Sequence, residues 1–181
     1  AVAGKIVCAL LIRGRELIAK GSIEPHLLKF KEIPNGWEKW LLDMAGLSTV
    51  ADMVPLKNEN RVIAMYGLKV LRKSKRPGLQ KLLRKTGTNQ NLLTEDDIGF
   101  TIAPRINAAS RMDIPMEGFN IFATTDEIEA DRLATHLHTL NDNRKTNVAT
   151  IMREIHGELR GRELPPVVVI GNNTWSPEVL G

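Results

Sequence analysis

The sequence predicts an α/β chain in which helices predominate and a single strand comes near the C-terminal end. Three observations lead to this prediction. Apolar residues recur at helical spacing over much of the 181-residue chain. One long helical pattern fills residues 126–164. It is followed by Pro165-Pro166 and then by Val167-Val168-Val169-Ile170, a run of β-branched apolar residues typical of a buried strand.

The composition, with 43% hydrophobic and 25% charged residues, is that of an ordinary globular protein. The apolar stretch from Ala1 to Ile12 is too short to span a bilayer, and we predict that it is the end of a buried helix. Cys8 lies within it and is predicted to be a small core residue. A lone cysteine forms no disulfide framework and suits a reducing compartment. We therefore expect a cytoplasmic protein without membrane contact. Because the sequence has no initiator Met and starts within an apolar stretch, we also expect it to be a segment of a longer protein.

Several shorter helical patterns precede the long one. Apolar residues follow helical spacing from Trp37 to Leu47 and again from Asn58 to Lys73. A Pro-Gly pair interrupts the second pattern, and a short helix is predicted from Leu79 to Leu83. Thr94 is placed to cap a helix that begins Glu95-Asp96-Asp97, because acidic side chains favour the positive end of the helix dipole.

The long helix is predicted to be capped by Thr125 and to run to about Arg162. At about 1.5 Å per residue it would reach about 50 Å, which is longer than a compact domain of this size needs internally. A connecting helix between two domains explains this length best, and a helical arm is the alternative.

Positive charge is concentrated between Asn60 and Thr94, where the sequence has no acidic residue. The basic residues of this stretch are Arg61, Lys69, Arg72, Lys73, Lys75, Arg76, Lys81, Arg84 and Lys85. A one-signed stretch of this kind attracts polyanions, above all nucleic acid. The alternative is a solvated helical hairpin with a basic face, and charge alone does not separate the two.

Asp52 is the principal candidate for a metal ligand. It follows an apolar helical run and precedes Pro55, which restricts the residue before it to extended conformations. A carboxylate at such a helix exit can face a cleft and ligate a cation through oxygen. The alternative is an aspartate that makes local turn hydrogen bonds. Asp43 is a weaker candidate of the same kind, which could support the metal ligands.

A second candidate segment runs from Pro104 to Arg111. On a helix, Asn107 and Arg111 share one face and Arg105 points almost oppositely. Two guanidinium groups beside an amide could clamp a phosphate, because the planar fork donates two parallel hydrogen bonds. Alternatively, the two arginines pair with acidic neighbours such as Asp96, Asp97 or Asp113 and fix a domain joint. Both interpretations stay open.

The sequence shows no glycine-rich phosphate loop, no CxxC pair and no nucleophile elbow. His136, His138 and His156 lie on the predicted long helix. Because His136 and His138 are two residues apart, they face different directions and do not form a metal pair. All three are predicted to be helix-surface residues.

Several ordered motifs resemble the RecJ-like branch of the DHH phosphoesterase family. Ser48-Thr49-Val50-Ala51-Asp52 is similar to the family's fourth motif, and Val54-Pro55-Leu56 with Asn58-Glu59-Asn60-Arg61 is similar to the residues that come after that motif in the family. The segment from Asp97 to Met112 resembles the later arginine-asparagine motif. Trp175 to Gly181 is similar to the tryptophan motif that opens the second domain.

The resemblance implies three regions. Residues 1–125 would be the mostly helical C-terminal part of a DHH-type domain, residues 126–164 the connecting helix, and residues 165–181 the start of a DHHA1-type domain.

The resemblance also implies an activity. The longer protein would be a single-stranded-DNA-specific 5′ to 3′ exonuclease of DNA repair and recombination, using two Mn²⁺ or Mg²⁺ ions. Asp52 would be one catalytic metal ligand, and the other ligands would lie outside this chain. Apart from the resemblance, the charge and spacing described above make Arg105, Asn107, Arg111, Lys73, Lys75 and Arg76 the candidates for binding single-stranded DNA. Alternatives are a phosphodiesterase of short oligonucleotides or cyclic dinucleotides and a non-catalytic replication or repair scaffold.

Overall fold

The computed structural model describes residues 2–21, 24–112, 114–161, 163 and 165–175. These residues form helices and connecting loops. The α-helices are α1 Val2–Ala19, α2 Pro25–Leu28, α3 Leu42–Ala51, α4 Asn58–Leu71, α5 Pro77–Lys85, α6 Ala103–Arg111, α7 Pro115–Ala123 and α8 Glu127–Leu159. Short 3-10 helices cover Lys29–Glu32, Trp37–Leu41 and Gln90–Leu92, and a π-helix covers Asp97–Ile102.

The predicted helices before residue 95 are present, with small differences at their ends. The predicted helix from Trp37 to Leu47 divides into the 3-10 helix Trp37–Leu41 and the first part of α3. Pro77 begins α5 instead of lying outside it, because the first helical position needs no backbone N–H. Thr94 caps the next segment as predicted, since its Oγ1 accepts from the backbone N–H of Asp97 at 3.3 Å.

The predicted strand over residues 167–170 is wrong for the described part of the chain. No strand is assigned in the described ranges, and Val167 and Val169 are 75% and 91% exposed. β-Branched residues form a strand only where a neighbouring strand and an apolar surface receive them. The predominance of helices is confirmed. Of the predicted tryptophan motif Trp175 to Gly181, all residues after Trp175 lie outside the described ones.

The prediction that the first apolar stretch is buried is wrong for most of its side chains. In α1, Val2, Ile6 and Leu10 are each more than half exposed, whereas Leu11 is buried. The helix also continues to Ala19, beyond the predicted apolar stretch. Only one face of α1 packs on the rest of the unit. Among the described residues, neighbouring elements lie on that side of the helix and not on the other. None of the described helices is long and apolar enough to cross a membrane.

The chain divides into two compact units. The first contains Ala1–Lys75 and Gly87–Thr101, and its closest helix pair is α3 with α4. These helices meet at Gly46 and Gly67, where a Cβ on Gly46 would lie 2.6 Å from the Cα of Gly67. Glycine is required at this crossing because the two backbones themselves are in contact.

The second unit contains Arg76–Thr86 and Ile102–Gly181, and α5, α6 and α7 pack on α8. Leu133 and Leu137 of α8 are fully buried there. Asp126, and not Thr125 as predicted, caps α8, because its carboxylate accepts from the backbone N–H groups of Ile128 and Glu129. Farther along α8, the carboxylate of Glu154 accepts a hydrogen bond from the Trp175 indole at 2.7 Å.

Candidate functional site

Asp52 lies where α3 ends. Its backbone N–H donates to the carbonyl of Ser48 at 3.0 Å, and the N–H of Met53 donates to Val50 at 3.0 Å. Met53 has a φ of 52°, in the left-handed region that stops a helix and turns the chain away. The turn leaves the side chain of Asp52 exposed to solvent.

The segment after Asp52 is held by the start of α4. The carbonyl of Pro55 accepts from the backbone N–H of Lys57 at 2.8 Å and from the side-chain amide of Asn60 at 3.2 Å. The segment around Pro55 and the start of α4 therefore stabilise one another. The carboxylate of Asp52 has no hydrogen-bond or ion-pair partner within the described ranges, which argues against the local-turn interpretation.

The fit to a divalent cation is partial. No group of three or more His, Cys, Asp or Glu side chains that could hold a metal occurs in the described part of the chain. Asp52 would supply one oxygen ligand. Asp43 is buried, accepts from the N–H of Met44, and lies in the first turn of α3, about 13 Å along the helix from Asp52. Asp43 therefore does not contact the Asp52 side chain directly, and the metal role of Asp52 stays a prediction.

The predicted arrangement of the α6 side chains is confirmed. Asn107 and Arg111 are exposed on one face, and Arg105 is 6% exposed on the other. No ion pair of Arg111 is found with any described residue, and Asp113 lies outside the described residues. Arg111 and Asn107 together present an amide and a guanidinium to solvent, a combination that suits a phosphate.

Arg105 instead joins two helices of the second unit. Its Nε donates to Nδ1 of His138 on α8 at 3.1 Å, and His138 Nε2 lies 3.4 Å from the carboxylate of Asp142. Burial lowers the pKa of Arg105, and the nearby charge of Asp142 opposes that shift. The described hydrogen bond of Arg105 thus links α6 to α8, and Asp113, one of the acidic neighbours that the sequence suggested, lies outside the described residues.

The basic stretch divides into structural and solvent-facing side chains. Arg72 donates to the carbonyl of Leu93 at 2.7 and 2.9 Å. Arg76 donates to the carbonyl of Phe122 at 2.7 Å. Lys73 and Lys75 are exposed between them. Of the three predicted nucleic-acid-binding residues of this stretch, Lys73 and Lys75 are therefore accessible and Arg76 also has a structural contact.

Two of the histidines do more than cover a helix surface. His136 bonds the carboxylate of Glu117 and so links α8 to α7, and His138 links α8 to α6. His156 is exposed, as predicted. Sequence reasoning missed these links because a histidine's partner lies on another helix. The signal available was the i and i+2 spacing, which directs the two side chains toward different neighbours.

Asn141 is a second residue that sequence reasoning missed. It is 1% exposed, and neither heteroatom of its side chain has a hydrogen-bond partner among the described residues. Buried amides without partners are costly in folded proteins, so this position on α8 is unusual.

The candidate residues are distributed over both units. Asp52, Lys73 and Lys75 belong to the first, whereas Arg76, Arg105, Asn107 and Arg111 belong to the second.

Comparison with known proteins gives a consistent result. The single-stranded-DNA-specific exonuclease RecJ of Bacillus subtilis is 34% identical over 142 residues, which is 78% of this chain and 18% of that protein. The protein of the same name from Dickeya dadantii is 40% identical over 127 residues, or 70% of this chain and 20% of that protein. This chain is RecJ-like. It spans about a fifth of the length of these curated relatives.

Solved structures agree with this result. RecJ of Thermus thermophilus in complex with Mg²⁺ superimposes on 86% of the RecJ-like chain, with a TM-score of 0.71 and 29% identity, and 24% of that chain is covered. A manganese-bound exonuclease RecJ matches 73% of the chain with a TM-score of 0.62 and 31% identity, over 33% of its own length. No protein-family model matches the sequence.

Proposed function

We propose that this chain is part of a single-stranded-DNA-specific 5′ to 3′ exonuclease that hydrolyses phosphodiester bonds with Mn²⁺ or Mg²⁺. The observation that carries the proposal is its similarity, at 34% identity over 142 residues, to a relative named for this activity. In this proposal the enzyme acts in DNA repair and recombination in the cytoplasm. Residues 1–125 form the C-terminal part of its DHH-type domain, and residues 165–181 form the start of a DHHA1-type domain. Residues 126–164 form the helix that connects the two domains.

Each candidate residue has a proposed role. Asp52 is a ligand of a divalent cation, and such an ion polarises the scissile phosphate and lowers the pKa of a bound water. Asn107 and Arg111 bind phosphate from the exposed face of α6. Arg105, buried against α8, positions that helix. Lys73 and Lys75 attract the DNA backbone.

The role of Asp52 is tested in the longer enzyme by Asp52→Ala. We expect turnover of single-stranded DNA to fall more than about 100-fold, since even groups that only support metal ligands contribute about 10- to 100-fold. The melting temperature should stay unchanged because the side chain is exposed and has no partner among the described residues. Asp131→Ala, at an exposed carboxylate of α8, is the matched control. Normal turnover in Asp52→Ala would show that Asp52 is not a ligand of the catalytic cations.

The 181-residue chain by itself is expected to be inactive. Two divalent cations need several anionic ligands close together, and no group of three or more His, Cys, Asp or Glu side chains that could hold a metal occurs in the described part of the chain. Release of nucleotides from 5′-labelled single-stranded DNA with Mn²⁺ measures this directly, and robust turnover would contradict the proposal. In the longer enzyme, comparison of long strands with dinucleotides separates an exonuclease from a phosphodiesterase of short oligonucleotides.

A further inference from the structure

A groove on the first unit combines two aromatic side chains with three lysines. It lies between the 3-10 helix Trp37–Leu41 and α4 and encloses about 300 Å³. We call it the aromatic–lysine groove and define it by Lys39, Trp40, Tyr66, Lys69 and Lys73. Its volume is at the lower end of the range of about 300–1,000 Å³ for small-molecule sites, which is enough for a nucleobase.

Local structure keeps these side chains together. Gly36 has a φ of 86°, and this left-handed turn starts the 3-10 helix that carries Lys39 and Trp40. On α4, Tyr66 and Lys69 share one face at i and i+3. The neighbouring Gly67 is the position where α3 approaches closely and fixes α4 within the unit.

The two rings are accessible. Trp40 is 51% exposed and Tyr66 is 46% exposed, so each leaves apolar ring surface in water. The ammonium of Lys69 lies 5.0 Å from the centroid of the Tyr66 ring. This ammonium lies over a face of Tyr66, so a base that stacks on the same face displaces the flexible lysine toward the ring edge, where it can pair with a phosphate.

The charges restrict the ligand to an anion. The described residues that line the groove include three lysines and no acidic side chain. The nearby Glu38 forms an ion pair with Arg15 at 3.1 Å and does not belong to the lining. A cationic ligand is disfavoured here, although aromatic rings alone would accept one.

We propose that the aromatic–lysine groove is an accessory binding site for single-stranded nucleic acid, in which bases stack on Trp40 and Tyr66 and phosphates pair with the lysines. Stacking on a side chain requires an unpaired base, so a single strand fits and a double helix does not. Because all bases have a planar face, the site tolerates any sequence. Binding here needs no divalent cation and does not involve Asp52.

The test measures, by fluorescence anisotropy in the presence of EDTA, the affinity of the 181-residue chain for an oligothymidylate of about 12 nucleotides. Trp40→Ala and Tyr66→Ala should each weaken binding by about 5- to 100-fold, the effect of losing one stacked base. The affinity of both variants for an abasic strand of equal length should differ from that of the parent chain by less than about twofold. Trp37→Ala is the matched control, because Trp37 lies on the same 3-10 helix at 44% exposure and outside the groove.

Each other outcome overturns the proposal. Equal losses for the thymidylate and abasic strands would show that the rings do not stack on bases. No effect of either aromatic substitution, or no binding by the parent chain, would exclude the site. Thymidine monophosphate that binds as tightly as the strand would identify a free-nucleotide site instead. Circular dichroism verifies that each variant is folded. Since no metal or cleavage is involved, failure here is distinct from failure of the proposed nuclease activity.

Discussion

Two arginines of one helix illustrate how environment determines the role of a residue. Arg105 and Arg111 are both on α6, six positions apart, and from the sequence either could belong to a phosphate clamp or to a joint. Arg105 is buried and donates to His138, whereas Arg111 is exposed. Arg105 therefore fixes α6 to α8, whereas the phosphate role of Arg111 stays a prediction that its exposure permits.

Substitution of these arginines by methionine separates the two roles. Arg105→Met should lower the free energy of unfolding by about 1–3 kcal/mol, because it removes a charged hydrogen bond and leaves His138 without that donor. Arg111→Met should change it by less than about 0.5 kcal/mol. Urea denaturation followed by circular dichroism measures both. Equal destabilisation by the two substitutions would contradict a structural role specific to Arg105.

Helix packing in the first unit depends on two glycines that face each other. Alanine is the better helix former, yet a Cβ on Gly67 would lie 2.5 Å from the Cα of Gly46. Packing overrides propensity at this crossing, because backbone atoms cannot move aside as the end of a flexible side chain can.

Gly67→Ala is therefore expected to destabilise the chain by about 1–3 kcal/mol, the cost of overpacking. Gly157 of α8 is the control, because nothing lies within 4 Å of a Cβ built there. Gly157→Ala should stabilise by about 0.5–1 kcal/mol through helix propensity alone. Thermal denaturation of both variants tests the pair, and a neutral Gly67→Ala would show that α3 and α4 are not closely packed.

An ion pair links α1 to the 3-10 helix Trp37–Leu41. Arg15 donates to the carboxylate of Glu38 at 3.1 Å. Hydrogen bonding to the backbone N–H of Glu38 itself, and then to Arg15, lowers the pKa of Glu38. Because the pKa of Glu38 is lower in the folded state, the unfolded chain binds a proton at Glu38 at a higher pH than the folded chain does. The contribution to stability is therefore present above the unfolded pKa of about 4.3 and lost below the folded pKa.

Glu38→Gln should thus destabilise the chain at pH 7, and the difference from the parent should disappear as the pH falls below about 4. Urea denaturation at several pH values provides the measurement. Glu16→Gln removes an exposed ion pair with Arg13 and should have a smaller effect at pH 7. A difference that persists unchanged in acid would mean that the carboxylate of Glu38 contributes nothing through its charge.

The charge of the whole chain, formally +4, is less informative than its distribution. Part of the basic stretch holds the fold together, through Arg72 and Arg76, and part faces solvent, through Lys73 and Lys75. Only the solvent-facing part can release counterions from a nucleic acid. Counting every basic residue of the stretch from the sequence therefore overstates the binding charge.

Reversal of charge at the exposed lysines tests this distinction. Lys73→Glu with Lys75→Glu should weaken binding to single strands of any sequence and reduce the slope of log affinity against log salt by about 0.7 for each phosphate that is no longer neutralised. The melting temperature should not change. Arg76→Glu is the comparison, and it should lower the melting temperature because its bond to the Phe122 carbonyl is removed. Unchanged affinity in the lysine variant would favour the solvated-hairpin interpretation.

Much of this protein could be predicted from local patterns. The helix over 58–73, the Thr94 cap and the opposite faces of α6 were predicted, because spacing and capping depend on residues that are close in the chain. The strand at 167–170 and the burial of α1 were not predicted correctly. Both depend on which other elements pack against the segment. The described residues provide no strand that pairs with residues 167–170, and they cover only one face of α1.

The sequence by itself determined the helical content, the RecJ-like motifs and the position of Asp52 at a helix end, because proline placement, capping and residue spacing act over a few positions. Tertiary structure alone decided that Arg105 is buried while Arg111 is exposed, and that Trp40 and Tyr66 form one groove with lysines. Those outcomes arise from contacts between residues far apart in the chain, and such contacts leave no local pattern.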